Sequence, residues 1–200
     1  MKKSGNSTEF PDTADHATLN ARAVALDILV RVLNKADTLD AALAGSDGFA
    51  RLDTRDRGFV RMLVTTTLRR LGQVDDLIMR ATDKPGRPNP PVLEMILRLG
   101  VVQLIFMEVP DYAAVNTSVG LAQARKIGSR KGFINAVLRR IASDGVSWTA
   151  EQDAPQLNTP PWLMTVWHNA YGAETARHIA TANMAEAPLD ITLKEPGARN

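Results

Sequence analysis

The sequence predicts an all-α fold. Apolar residues recur at helical spacing from Asn20 to Ala142, capping residues and glycines separate the periodic stretches, and no alternating strand pattern appears before Leu189. This span reads as a bundle of about seven helices.

Residues 1–19 are rich in Ser, Thr, Asp and Asn and poor in large apolar groups, so a flexible tail is expected. Asn20 is placed to cap a first helix to about Lys35, with Val24, Ile28, Leu29, Val32 and Leu33 on its apolar face. A short helix at Leu39–Ala44 is followed by a break at Gly45, Ser46, Asp47 and Gly48. Asp53 or Thr54 caps a helix that runs through Leu71 and is closed by Gly72. Val74, Leu77, Ile78 and Ala81 give a further short helix, whose first turn holds Asp75 and Asp76.

Lys84 to Pro91 contains four prolines and a glycine and reads as a loop. Val92 to Met107 is apolar nearly all round, the pattern of a central core helix. Arg98, a charge inside that helix, needs a carboxylate partner, and Asp53, Asp56 and Asp75 are the candidates. Asp111 starts a helix ended by Gly128, and a last helix runs from Lys131 to Ala142. Asn116 and Asn135, in helix interiors where Asn is disfavoured, are expected to cap or cross-link neighbouring helices.

Residues 146–158 show no helical period and read as a linker. Thr159-Pro160 then opens a helix containing Trp162, Leu163, Val166 and Trp167. Gly172 separates it from a helix at Ala173–Met184. Leu189, Ile191 and Leu193 alternate with Asp190, Thr192 and Lys194, a strand with no partner in the sequence. Residues 159–200 therefore read as the helical start of an α/β region.

Composition limits the chemistry. There is no cysteine, which rules out disulfides, Cys-bound zinc and a cysteine nucleophile within these residues. No signal peptide and no apolar run of membrane length is visible, so a cytoplasmic protein without a membrane partner is expected. His16, His168 and His178 lack ligand spacing with carboxylates, and no metal site is expected. No phosphate-cradling glycine loop follows a strand, so no cofactor site is expected either.

The net charge is only +2, from 24 basic and 22 acidic residues, but the charges are unevenly placed. Gly120 to Ala142 holds Arg125, Lys126, Arg130, Lys131, Arg139 and Arg140 and no acid. Cations gathered around a helix end and a helix start suit phosphate, and Phe133 beside them could stack on a base. The plainer alternative is that the cations complement a helix dipole and Phe133 belongs to the core stripe.

Several strings, read together, resemble the NusB family: Arg55-Asp56-Arg57, Ile96-Leu97-Arg98-Leu99-Gly100, Val109-Pro110, Ala113-Ala114-Val115-Asn116, and Gly132-Phe133-Ile134-Asn135-Ala136-Val137-Leu138-Arg139. The resemblance covers residues 20–145 and implies two packed helical sub-bundles and RNA binding. It implies that RNA meets Arg22 on the first helix and Ser129, Arg130, Lys131 and Phe133 at the start of the last core helix; with Arg125 and Lys126 from the charge cluster, these make the expected RNA-binding set.

Thr159-Pro160-Pro161-Trp162-Leu163, Tyr171-Gly172, Ala182-Asn183 and Pro188-Leu189-Asp190-Ile191 resemble the segment before the catalytic domain in ribosomal-RNA cytosine-C5 methyltransferases. That resemblance implies small-subunit ribosomal RNA as partner, S-adenosylmethionine as methyl donor, and a cysteine nucleophile. The cysteine and the donor loop would lie in a catalytic domain outside these residues, itself a further partner. Two other readings remain open: a stand-alone antitermination-type RNA-binding factor, and a helical protein-interaction scaffold.

Overall fold

The computed structural model describes residues 13–82 and 86–187, and among them every regular element is helical. The helices are α1 (Thr13–Lys35), α2 (Leu39–Ala44), α3 (Asp47–Ala50), α4 (Thr54–Arg69), α5 (Leu71–Ala81), α6 (Pro91–Ile105), α7 (Asp111–Ala124), α8 (Lys131–Glu151), α9 (Ala154–Asn158), α10 (Pro161–Tyr171) and α11 (Ala173–Asn183). The expected strand at Leu189–Leu193 lies outside the described residues.

The all-round apolar stretch is the centre of the bundle, as its composition predicts: every residue of α6 from Leu93 to Gln103 is buried. α1 and α4 pack on one flank of α6, with α2 and α3 against α1. α5, α7 and α8 pack on the other flank, and α1 also touches α7. These are the two sub-bundles, sharing α6. Arg98 inside α6 finds one of the expected partners: its guanidinium donates to both oxygens of Asp75 at 2.7 Å and to Glu94 at 2.9 Å. A buried charge is stable only when paired and hydrogen-bonded in this way.

Four boundaries differ from the sequence reading. α1 begins at Thr13, so Asn20 is an interior residue and not a cap; between Pro11 and Lys35 no proline or glycine stops the helix. α3 forms within the expected break, because the Ser46 hydroxyl accepts from the Phe49 N–H at 3.2 Å and Phe49 is buried. α4 ends at Arg69 and Gly72 is the second residue of α5 instead of the close of the preceding helix, so Asp75 and Asp76 stand in the second turn of α5. α7 ends at Ala124, ahead of Gly128.

The expected linker is the largest difference. α8 continues to Glu151, and α9 occupies Ala154–Asn158. Gly145 is not a breaker here: a Cβ on it would meet Ile105 Cδ1 at 2.8 Å, so its bare backbone lets α8 lie close to the end of α6. Trp148, one turn on, packs against the core. The segment is then fixed to α5 by amides. Gln152 donates to the Gln73 carbonyl at 3.0 Å and to Asp76 at 2.8 Å, while the Gln73 side chain donates to Gln152 at 3.0 Å. Asn158 accepts from the Gln73 N–H at 3.1 Å and donates to the Gln73 side chain at 2.9 Å. Beyond it, α10 and α11 form a hairpin about Gly172 (φ 82°), closed on Met164, Ala176 and Ala180.

Candidate nucleic-acid interface

The site is built at the corner between α7 and α8. After α7 the chain reverses through a tight C-terminal closure: the Ile127 N–H donates to Ala122 O at 2.9 Å and the Lys126 N–H to Gln123 O at 3.0 Å. This pattern puts one residue in the left-handed region, usually glycine. Here it is Lys126, at φ 60°. A one-turn 3-10 helix, Gly128–Arg130, leads straight into α8, whose start has no side-chain cap. The result is a corner with cations on both sides of the start of α8; the Lys131 N–H is taken by Gly128 O, so the side-chain cations and the helix dipole are what favour an anion there.

The sequence-predicted residues fall into three groups. Lys126, Ser129, Arg130, Lys131 and Phe133 are all exposed and share the corner. Among the described residues the three cations form no ion pair. Phe133 is 40% exposed and outside the core cluster, whereas its neighbours Ile134 and Val137 are buried. The core-stripe alternative for Phe133 therefore fails: the α8 stripe is Ile134, Val137, Leu138 and Ile141.

Arg125 is half-buried and positional. Its guanidinium lies 2.7 Å from Asp27 and donates to Ala23 O at 3.3 Å, tying the end of α7 to α1. Arg22 is a core residue. Its guanidinium stacks 4.7 Å from the Phe59 ring centroid and donates to the Gln103 side chain. Burial pulls its pKa below the ordinary guanidinium value, and Asp56 partly offsets this. In this arrangement Arg22 is buried and its charge is turned into the bundle, away from the corner. An Arg at an angularly apolar position already carried that signal.

Two more residues were misjudged in sequence. Asn116 is exposed, and Asn135 accepts from Arg139 Nε at 3.1 Å on its own helix, so neither cross-links helices. His168 and His178 are exposed, and no cluster able to hold a metal ion exists among the described residues. No described helix is long and apolar enough to cross a membrane.

Residues 19–143 match the NusB family. The chain is 29% identical over 174 residues to the ribosomal RNA small subunit methyltransferase B of Vibrio vulnificus, covering 86% of this chain and 40% of that protein. It is 30% identical over 172 residues to the probable ribosomal RNA small subunit methyltransferase B of Bacillus subtilis, covering 82% and 38%. It is 33% identical over 184 residues to the probable enzyme of that name from Synechocystis, covering 88% and 41%. The chain thus spans about two fifths of the length of these relatives.

Proposed function

The chain belongs to the NusB family, and on that premise we propose that it helps to place small-subunit ribosomal RNA for a cytosine-C5 methyl transfer carried out elsewhere in a longer protein. The observation that carries the reading is the α7–α8 corner: Lys126, Arg130 and Lys131 are exposed, unpaired among the described residues, and set beside an exposed Phe133. Cations supply the sequence-independent attraction to phosphate, and an exposed ring supplies a stacking platform for an unpaired base. Arg125, held by Asp27, positions the corner.

The methyl transfer itself finds no groups here. The nucleophile in this reading is a cysteine thiolate, and the sequence has no cysteine. S-adenosylmethionine supplies the methyl group in this reading, but no described glycine stands on a strand-to-helix turn, so these residues do not fit that donor. They bind and orient RNA, and the remainder of the protein does the chemistry.

The test is a titration of the purified chain with a small-subunit ribosomal-RNA hairpin at several salt concentrations. Binding that weakens steeply with salt is expected. No binding at low salt would contradict the reading and favour a scaffold. In the longer protein, Arg130→Glu with Lys131→Glu should raise KM for RNA while leaving kcat largely unchanged, the signature of lost binding.

A further inference from the structure

Between the start of α7 and the middle of α8 lies an open groove of about 590 Å³. Its apolar floor is Val115 and Ala142, and its rim is Asp111, Tyr112, Asn116 and Arg139. Tyr112 is 73% exposed, a large ring open to solvent among the described residues. Arg139 is exposed, lines the groove, and donates from its Nε to Asn135 one turn back on α8 at 3.1 Å. Such a combination suits one unstacked base: an apolar floor and a ring for its face, hydrogen-bonding groups for its edge, and a cation for its phosphate.

We propose that this groove is a second RNA contact, one that takes a single unpaired base carrying an exocyclic amino group. The inference rests on the reading of the α7–α8 corner as an RNA interface and extends it along α8. Arg139 stands eight residues from Lys131 on one helix, about 12 Å along its axis. Between them the exposed residues are Phe133, a second ring, and the small Gly132 and Ala136. The amino-group preference follows from Asp111. A carboxylate only accepts hydrogen bonds, so it favours the amino groups of cytosine or adenine and repels the carbonyl that uracil presents at the same place.

The test measures affinity of the whole chain for oligocytidylate and oligouridylate of equal length at low salt. The wild type should prefer oligocytidylate. Tyr112→Ala should weaken oligocytidylate binding about ten-fold, the loss expected for one stacked base. Asp111→Asn should erase the preference for cytidine over uridine. Arg139→Gln gives a third surface variant, and far-UV circular dichroism checks that each variant is folded. If the wild type binds both oligomers equally, or all three variants bind oligocytidylate as the wild type does, the groove proposal is overturned. If that happens while Arg130→Glu with Lys131→Glu abolishes binding, the interface at the corner stands without the groove. If the wild type binds neither oligomer, both fall.

Discussion

The backbone of Gly72 lies directly against the carbonyl of Leu157: a Cβ at Gly72 would stand 1.8 Å from that oxygen. The contact is backbone to backbone, so no side-chain rotation relieves it. It is also the seam between the bundle and the segment that leads to the α10–α11 hairpin. Gly72→Ala should therefore push α9 off α5 and cost about 1–3 kcal/mol, the range for overpacking. Hydrogen exchange of the Gln73 amide, which donates to Asn158, reads this directly. Faster exchange there, with the α6 core still protected, is the expected result; unchanged protection would mean that α9 is held by something else.

Arg98 is the buried charge on which the centre of the bundle depends. Its removal leaves Glu94 buried without its closest partner. Arg98→Ala should lower stability by about 3–5 kcal/mol, as for other broken buried pairs. Denaturant unfolding measures it, and a loss under about 1 kcal/mol would place the ion pair among the weak surface pairs.

Lys126 trades stability for position. A lysine in the left-handed region costs about 1–2 kcal/mol relative to an ordinary conformation, a strain that glycine does not feel. Lys126→Gly should raise the melting temperature by a few degrees and weaken RNA binding. A variant that gains stability and keeps full affinity would remove Lys126 from the interface.

Acid should loosen the hairpin. The Arg177 guanidinium donates to both oxygens of Asp153, at 3.1 and 2.9 Å, and this hydrogen bond holds the carboxyl below its ordinary pKa. A depressed carboxylate contributes stability that is present above its unfolded pKa of about 4 and lost as pH falls through the lower folded value. Arg177→Gln should remove that part of the acid sensitivity of α9–α11, as read by proteolysis between pH 5 and pH 2.

The bundle was legible because burial follows helical period: the α6 run could be read from spacing, and Asp75 was one of three candidate partners for Arg98, while Glu94 was missed. The errors at two glycines share one cause. Gly72 and Gly145 resemble helix ends in sequence, yet each is glycine because another element lies against it. Sequence spacing carries no trace of Leu157 or Ile105 arriving from elsewhere in the chain. Past Gly145 the stripe continues at Trp148 with the same period, a signal that the glycine obscured. At the interface, the charge cluster and Phe133 were visible. The closure at Lys126 was not, because lysine is the wrong residue for it. Arg22 entered through the family resemblance, which carries no sign of a guanidinium stacked on Phe59.

The central claim is that RNA phosphate meets the start of α8. The most direct measurement is the salt dependence of RNA affinity for the wild type and for Arg130→Gln with Lys131→Gln. Each phosphate contact to single-stranded RNA contributes about 0.7 to the slope of log affinity against log salt, so losing two should reduce the slope by about 1.4. A weaker complex with that smaller slope is the predicted result. An unchanged slope and affinity in the double variant would contradict it and place the RNA on another face.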